Sequence, residues 1–485
     1  MQTAGKKILS IASYIILLLM SLILFTGLFI KPIYICALDK PDFISNKWHD
    51  YAMMLIYAII LFILFRKRKI FNKIPFQITV ILYFLLGLFY IYEFPLMAFS
   101  DMGQIYEAAL QVAHGDFLSF QSNPYFATYP NNVVLALLYG GILWIFPETV
   151  VTLKVVNIIL LISIIVIAEQ MVQIYFPNQY RNLFYIFAFS FLPAFLYINH
   201  VYSDIPFTFL TVLAMYLYLK NNKNLPISCI IMGITYQLRP QSIFYIFAMF
   251  FHSIFFTAKE KRKTNISIIA CITGLLVIVI FSAGIKKIIT SNDQNLPVWS
   301  YVYMAFNKEE FGFQDGSHSP ERTLQDVENR ISELGVQGTF EIIVKKCFWM
   351  WDEGTFQAAR YAFGAETNDV LSKFEYETPI EKYVLTSTQK ARKLLDEFMR
   401  GQYIILLLVT LLMFTKKYYE RFSLFVMLFA ANFLFYIFWE IKSRYIFPLY
   451  PIILIFVFIA IFEIMVASPK SANACNTLPE INQST

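Results

Sequence analysis

The stretch ILSIASYIILLLMSLILFTGLFI, residues 8–30, decides the class of fold because it is a continuous apolar run long enough to cross a bilayer as a helix. It is longer than a signal-peptide core and lacks a small-residue cleavage site, so we predict a retained span. Similar runs recur along the 485 residues, of which 58% are hydrophobic and 15% are charged. So little polar surface cannot cover a soluble globule. The sequence therefore predicts an all-α polytopic integral membrane protein.

The net charge of +6 does not indicate a nucleic-acid partner. The excess lies in short loops such as RKRK (66–69) and KEKRK (259–263), a distribution typical of cytoplasmic loops. The five cysteines are scattered without metal-ligand spacing, and the five histidines show none either. We therefore expect no disulfide framework, no catalytic metal and no required cofactor, although this pattern does not exclude a divalent metal.

The apolar runs give thirteen candidate spans, starting near residues 8, 51, 76, 131, 150, 183, 205, 225, 242, 265, 402, 421 and 445. The rule that Lys and Arg stay in the cytoplasm decides which of them cross. If the run 131–147 lies along the outer interface instead of crossing, every basic loop becomes cytoplasmic. We therefore predict about twelve transmembrane helices, with both termini cytoplasmic, in a multi-pass protein of the cell membrane.

This topology divides the chain into five predicted parts. They are an N-terminal transmembrane hairpin (1–75), a transmembrane module (76–285) with an outer loop (93–149) that holds interfacial helices, a mainly helical extracytoplasmic segment (286–400), C-terminal transmembrane helices (401–468) and a cytoplasmic tail (469–485). In the extracytoplasmic segment, residues 321–335 read as a solvated helix. Two aromatic runs, 296–307 and 345–356, suit either sugar binding or a membrane-interface belt.

The outer loop contains the main candidate for chemistry, FPLMAFSDMGQIYEAALQVAHGDF (94–117), which has three acids and no Lys or Arg. Residues 101–117 predict an amphipathic interfacial helix. Asp101 at its start suits either an N-cap or a general base at the membrane surface, and this stretch alone does not separate the two. Tyr106 and Glu107 follow on the same helix as candidate substrate contacts.

Basic residues at other predicted outer turns favour an anion site. Arg239 in YQLRPQS and Arg444 and Lys442 in EIKSRYIFP stand where Lys and Arg are otherwise depleted. They could be interfacial anchors, but two or three converging cations suit a phosphate, which Arg binds in bidentate geometry. Further candidate substrate contacts share these outer turns: Asp204, His200, Tyr202, Glu440 and Tyr445. Asp204 also suits a helix cap, and Glu440 suits an ion pair with Lys442.

The order of these features resembles the C-type (GT-C) integral-membrane glycosyltransferases, the group with protein O-mannosyltransferases and aminoarabinose transferases. The resemblance rests on SDMGQIYEAALQVAHGDF, ATYPNNVVLALLYGGILWIFP, YSDIPF, GITYQLRP and SRYIFPLYPIILI, and it covers about residues 76–466. It implies that Asp101 is the catalytic carboxylate, that Arg239 and Arg444 hold a lipid phosphate, and that Asp204 is a second outer acid. Two departures are Met102, where many relatives have a second acid, and the extra N-terminal hairpin.

The predicted function is therefore an inverting glycosyltransferase that moves a sugar from a polyprenyl-phosphate donor to an acceptor on the extracytoplasmic face. The acceptor would be a cell-envelope glycopolymer or glycolipid. The expected partners are the lipid bilayer, the lipid-linked sugar and this acceptor, and the oligomeric state stays open. A lipid-linked saccharide transporter or flippase, or a polysaccharide polymerase, is the alternative.

Overall fold

The computed structural model describes residues 2–35, 40–176, 180–257, 261–289, 296–313, 318–363, 373–385, 390–415, 418 and 421–466. Helices dominate these residues, and the one sheet among them has two strands. The predicted class of an all-α membrane protein is confirmed at that level. The predicted cytoplasmic tail, 469–485, lies outside the described residues.

The α-helices follow one another along the chain with short connections. Their bounds are Gln2–Gly27, Trp48–Arg66, Arg68–Phe71, Phe76–Glu93, Asp101–Ala113, Ser119–Ser122, Pro124–Thr128, Asn131–Ile145, Val150–Tyr175, Arg181–Phe189, Leu192–Leu196, Asp204–Lys220, Leu225–Thr235, Ser242–His252, Lys261–Ile288, Val298–Ala305, Leu324–Asp352, Ala358–Phe363, Pro379–Leu385, Lys390–Thr410, Ser423–Phe438 and Tyr450–Val466. Turns of 3₁₀-helix occupy Tyr197–Asn199, Asn222–Asn224, Leu411–Phe414 and Ser443–Leu449, and Ser253–Thr257 is a π-helical turn.

The first two long helices are joined by a β-hairpin that the sequence reasoning missed. Strand Ile30–Ile35 pairs antiparallel with strand Lys40–Ser45, with Ile30 opposite Ser45. The buried Arg400 guanidinium attaches this region to the bundle, because it donates to the Gly27 carbonyl at 2.9 Å and to Asn46 Oδ1 at 3.1 Å.

The predicted count of about twelve transmembrane helices is wrong in this structure. Six helices are long and apolar enough to cross a membrane, and a bent pair raises the number to at most seven among the described residues. The six are Thr3–Gly27, Trp48–Arg66, Phe76–Glu93, Val150–Tyr175, Thr264–Ile288 and Ser443–Ile464. The bent pair, Arg181–Phe189 with Leu192–Asn199, turns by 63° at its break.

The difference arises because an apolar run is not the same thing as a straight helix. A span needs roughly 20 residues at 1.5 Å each to cross about 30 Å of hydrocarbon. Helix Leu225–Thr235 has 11 residues, Asp204–Lys220 has 17 and Ser423–Phe438 has 16. Helix Lys390–Thr410 has 21 residues, but its first half is charged. These helices were counted as spans, but each either falls short of about 20 residues or carries charge through its first half.

The amphipathic helix of the predicted outer loop is present, and it packs against the next long apolar helix. Helix Asp101–Ala113 buries one face, formed by Met102, Ile105, Ala108, Ala109 and Ala113, against helix Asn131–Ile145. A Cβ at Gly140 would lie 2.4 Å from Val112 Cγ1 and 2.9 Å from the Ala109 carbonyl oxygen. The absence of a side chain at Gly140 therefore sets the close approach of the two helices.

The segment predicted to be an extracytoplasmic excursion packs closely onto the bundle. Helix Leu324–Asp352 is broken at Gly335, where φ is +63°, so the predicted solvated helix ends there. Its second part buries Trp349 and Trp351, and helix Leu324–Asp352 packs against helices Gln2–Gly27 and Ser423–Phe438. Helix Lys390–Thr410 runs without interruption through the predicted boundary between residues 400 and 401.

Candidate functional site

Asp101 opens its helix from a strained turn. The preceding Ser100 has φ of +52°, an unfavourable region for a residue other than glycine, and strain of this kind clusters at functional sites. Ser100 occupies the capping position without a side-chain capping bond, and Asp101 is the first helical residue, half-buried. The helix ends at Ala113, before Gly115 at φ +78°, and not at residue 117 as predicted.

A hydrogen-bonded pair of tyrosines connects Asp101 with the basic residues. Asn132 Nδ2 donates to the Tyr125 hydroxyl at 2.6 Å and to the Tyr202 hydroxyl at 3.2 Å. Burial, with the Asp101 carboxylate as the next cause, raises the pKa of Tyr202 to about 12, while the nearby Arg444 opposes this rise. The pKa of Tyr125 is also raised by burial and by Asp101. Asp101 and Arg444 therefore shift the pKa values of the same two tyrosines in opposite directions.

Asp204 and Arg239 form an ion pair that is almost completely buried. Arg239 Nη2 donates to Asp204 Oδ1 at 2.5 Å, and Arg239 Nε donates to the Ser203 hydroxyl at 3.1 Å. Burial alone would raise the pKa of Asp204, but Arg239 and His200 hold it well below its usual range. The Arg239 charge is thus already balanced, and its Nη1 group remains without a hydrogen bond.

His200 lies between this ion pair and Arg444. Its Nε2 atom is 3.1 Å from Asp204 Oδ2 and 3.4 Å from Arg444 Nη1. Burial lowers the pKa of His200, so the ring is neutral at pH 7. The tautomer with a proton on Nε2 donates to the carboxylate, and this leaves Nδ1 as a buried acceptor without a partner.

Arg444 is the cation of this group that has no carboxylate at ion-pair distance, and His200 separates it from Asp204. It is 5% exposed, and no carboxylate among the described residues lies within the 4.0 Å of an ion pair. Its guanidinium carbon lies 5.0 Å from the centre of the Tyr202 ring and 4.5 Å from that of Tyr361. Its Nε donor has no hydrogen bond. Cation–π contacts only partly replace an anion, so this guanidinium is suited to bind one.

Glu440 is the matching unpaired acid. It is 4% exposed, its Oε1 accepts from the Tyr445 hydroxyl at 2.6 Å, and its buried Oε2 has no hydrogen bond. No cation of the described residues, Lys442 included, lies within ion-pair distance of it. Tyr445 also lies beside Arg239, with its ring centre 5.9 Å from the guanidinium carbon. Glu440 can accept a hydrogen bond from a hydroxyl or amine of a bound molecule.

The structure does not bring the other sequence candidates into this group. Glu107 is exposed and lines a surface depression of about 290 Å³ together with Gln111 and Asp116. The Tyr106 hydroxyl donates to the Glu148 carbonyl at 3.0 Å. Lys442 is buried with its ammonium 5.8 Å from the centre of the Phe313 ring.

Several aromatic residues of the site were not singled out from the sequence. Tyr125 and Tyr361 contact candidate residues from distant parts of the chain, and Asn132, seven residues after Tyr125, joins Tyr125 to Tyr202. Tyr301 lies near the Glu440 carboxylate, which adds to the rise that burial causes in its pKa. Of Tyr125, Tyr301 and Tyr361, only Tyr301 lies in a stretch that the sequence marked, the general aromatic run 296–307. Tyr125, Tyr202, Tyr361 and Tyr445 are called the tyrosine cluster below.

The arrangement combines a half-buried carboxylate, an unpaired guanidinium and an unpaired buried acid around the tyrosine cluster. Such a set can bind an anion, hold hydroxyl groups and accept a proton. No family model, curated protein or solved structure matches this chain.

Proposed function

We propose that this membrane protein is an inverting glycosyltransferase that uses a polyprenyl-phosphate sugar, as the resemblance to GT-C enzymes implies. The observation that carries the proposal is Arg444, a buried guanidinium without a carboxylate partner that shares the tyrosines of Asp101. A buried charge without a counter-ion is costly, so such a residue is expected to be retained for an anionic ligand. A lipid phosphodiester provides that anion at the membrane.

In the proposed reaction, Asp101 accepts the proton of the acceptor hydroxyl. The hydroxyl oxygen then forms a bond to the anomeric carbon as the bond from that carbon to the phosphate oxygen breaks. Both electrons of the broken bond leave with the phosphate, and Arg444 stabilises the charge that develops on it. Arg239 contributes through its Nη1 group, since Asp204 holds its other end.

The roles proposed for the two acids differ because their surroundings differ. Asp101 is half-buried and can meet an acceptor from water. Asp204 is fully buried and bonded to both Arg239 and His200, which suits positioning and not proton transfer. Glu440 Oε2 remains to accept a bond from a sugar hydroxyl.

The direct test is transfer of sugar in proteoliposomes that contain the purified protein and a polyprenyl-phosphate sugar. Asp101→Asn is expected to abolish transfer while binding of the donor persists, because the amide cannot accept the proton. Asp116→Asn, a change of the same kind at an exposed acid of the same loop, is the control and should retain activity. Full activity of Asp101→Asn would exclude the proposed base.

A transporter of lipid-linked saccharide remains the second candidate because the long helix Val150–Tyr175 buries two charges, Lys154 and Glu169. These residues lie near opposite ends of the helix, about 22 Å apart at 1.5 Å per residue. Lys154 donates to the Leu96 carbonyl at 2.6 Å, and Glu169 pairs with Arg181. The two charges are therefore separately satisfied, which favours a structural role over a relay across the membrane. Release of donor lipid on the opposite leaflet without transfer would support the transporter.

The proposed reaction also requires that the site faces outward, and we propose in addition that both termini are cytoplasmic, which needs an even number of crossings. Single cysteines at the exposed positions Asp116 and Glu309 should react with a membrane-impermeant maleimide in intact cells, whereas a cysteine at Lys69 should react only after permeabilisation. The wild-type cysteines would first be replaced. Labelling of Lys69→Cys in intact cells would reject this topology.

A further inference from the structure

A separate group of charged residues joins the β-hairpin to two helices. It consists of Lys31 on the first strand, His49 and Asp50 at the start of helix Trp48–Arg66, and Glu397 on helix Lys390–Thr410. Lys31 Nζ lies 2.5 Å from Asp50 Oδ1 and 3.5 Å from Glu397 Oε1. None of these residues belongs to the tyrosine cluster or to the proposed reaction.

Two atoms of this group face each other without a hydrogen bond. His49 Nδ1 and Glu397 Oε1 are only 2.8 Å apart, yet both are buried atoms without a hydrogen-bond partner among the described residues. Glu397 is 5% exposed, so bulk water does not satisfy its oxygen. A nitrogen and an oxygen at this distance either share a proton, as in a hydrogen bond between an imidazole and a carboxylate, or bind one cation together, and the titration below separates these two cases.

Asp50 presents a third ligand atom toward the same point. Its Oδ2 lies 3.9 Å from His49 Nδ1. One atom from each of His49, Asp50 and Glu397 lies within 4.8 Å of the others. Ligands about 2.1 Å from a tetrahedral metal ion are roughly 3.4 Å from one another, and the two measured separations bracket that value.

The charge of the group also favours a cation. Counted without the imidazole, the two carboxylates and the Lys31 ammonium carry a net charge of −1 in a largely buried region, where an unbalanced charge is costly. Lys31 bonds the Oδ1 oxygen of Asp50, and the Lys47 backbone N–H bonds Oδ2 at 2.7 Å. These bonds orient the carboxylate and leave a second lone pair of Oδ2 for a ligand.

We propose that His49 Nδ1, Asp50 Oδ2 and Glu397 Oε1 bind a divalent transition metal, with Lys31 as an outer residue that orients Asp50. One imidazole nitrogen with two carboxylate oxygens suits zinc or manganese better than calcium, which prefers six or more oxygens. The ion would connect helices Trp48–Arg66 and Lys390–Thr410 beside the hairpin. This inference does not depend on the proposed glycosyltransferase.

The test is calorimetric titration of Zn²⁺ into the full-length protein, purified in detergent and stripped with a chelator. We expect about one site per chain and a higher unfolding temperature with bound zinc. His49→Ala and Glu397→Gln should each weaken binding by at least about tenfold, because even the loss of an outer-shell partner of a ligand typically costs that much. His114→Ala is the matched control, since His114 contacts Glu148 at the surface, and it should bind zinc as the wild type does.

Lys31→Met separates a metal site from an ion-pair cluster. In a metal site, loss of the bond that orients Asp50 should weaken zinc binding by about 10-fold to 100-fold. In an ion-pair cluster, Lys31 is the native cation, and the wild type should show no saturable zinc binding. Absence of a stoichiometric site in the wild type, or unchanged binding in His49→Ala, would overturn the proposal. His49 keeps a fifth of its side chain exposed, so its replacement is expected to preserve the fold if Lys31→Met does not.

Discussion

The ion pair between Asp204 and Arg239 gives a prediction whose magnitude follows from burial. Asp204 is 0% exposed, Arg239 is 6% exposed, and the nitrogen and oxygen are 2.5 Å apart. Removal of one partner leaves the other charge buried, and this typically costs 3–5 kcal/mol, whereas replacement of both partners costs far less. Asp204→Asn and Arg239→Met are each therefore expected to lower the free energy of unfolding by about 3 kcal/mol or more.

The double variant shows whether the loss of stability comes from breaking the ion pair or from the separate contacts of each residue. Asp204→Asn combined with Arg239→Met should recover about 2–3 kcal/mol relative to the sum of the single changes, because neither buried charge remains. The assay is reversible denaturant unfolding of the purified protein in mixed micelles. Effects of the single changes that add to within about 0.5 kcal/mol would refute the coupling. His200, which also contacts Asp204, limits the recovery.

Three further predictions test other parts of the structure. Burial lowers the pKa of Lys346 from its ordinary 10.5 to about 7. Between these two pH values the unfolded chain keeps the Lys346 proton and the folded chain does not. The free energy of unfolding should therefore rise with pH in this range, by up to about 1.4 kcal/mol per pH unit. Unfolding temperatures measured against pH should lose this rise in Lys346→Met and keep it in Lys345→Met. Gly140→Ala should destabilise the protein by about 1–3 kcal/mol through overpacking, whereas Gly141→Ala, with no atom within 4 Å of its new Cβ, should be neutral or stabilising; equal unfolding temperatures would contradict the helix contact. Arg444→Gln should reduce sugar transfer about 100-fold to 1000-fold by removing charge stabilisation, and near wild-type transfer in the proteoliposome assay would exclude its role.

Local pattern was sufficient for part of the fold. The apolar runs predicted where helices form, since a helix satisfies its own backbone in a membrane. The amphipathic pattern of residues 101–117 predicted a helix with one apolar face, and helix Asp101–Ala113 buries such a face, which includes Ile105 and Ala108. The number of membrane-crossing helices was overestimated because apolar runs do not show where helices break, as at the 63° bend between Phe189 and Leu192, beside Pro193.

Sequence alone also selected the acids and arginines of the candidate site, because charge is rare in such a chain and its position is conspicuous. It could not show that Arg239 forms an ion pair with Asp204 while Arg444 has no carboxylate at ion-pair distance among the described residues, since side-chain pairing depends on how helices meet. Both arginines stand at predicted outer turns, so the sequence alone does not show which of them has an ion-pair partner.

The tertiary structure alone decided which distant residues meet. His49 and Glu397 stand far apart in the chain, and no ligand spacing links them, yet they lie 2.8 Å apart. The tyrosine cluster likewise gathers residues from four separate segments. The sequence determined that this chain folds as apolar helices with few charges. The reason is that each apolar run favours a helix through its own residues, before any contact with the rest of the chain. Only the packing of the helices decided which residue partners each charge. A buried charge interacts strongly with any group within a few ångströms, however far apart the two residues are in the chain.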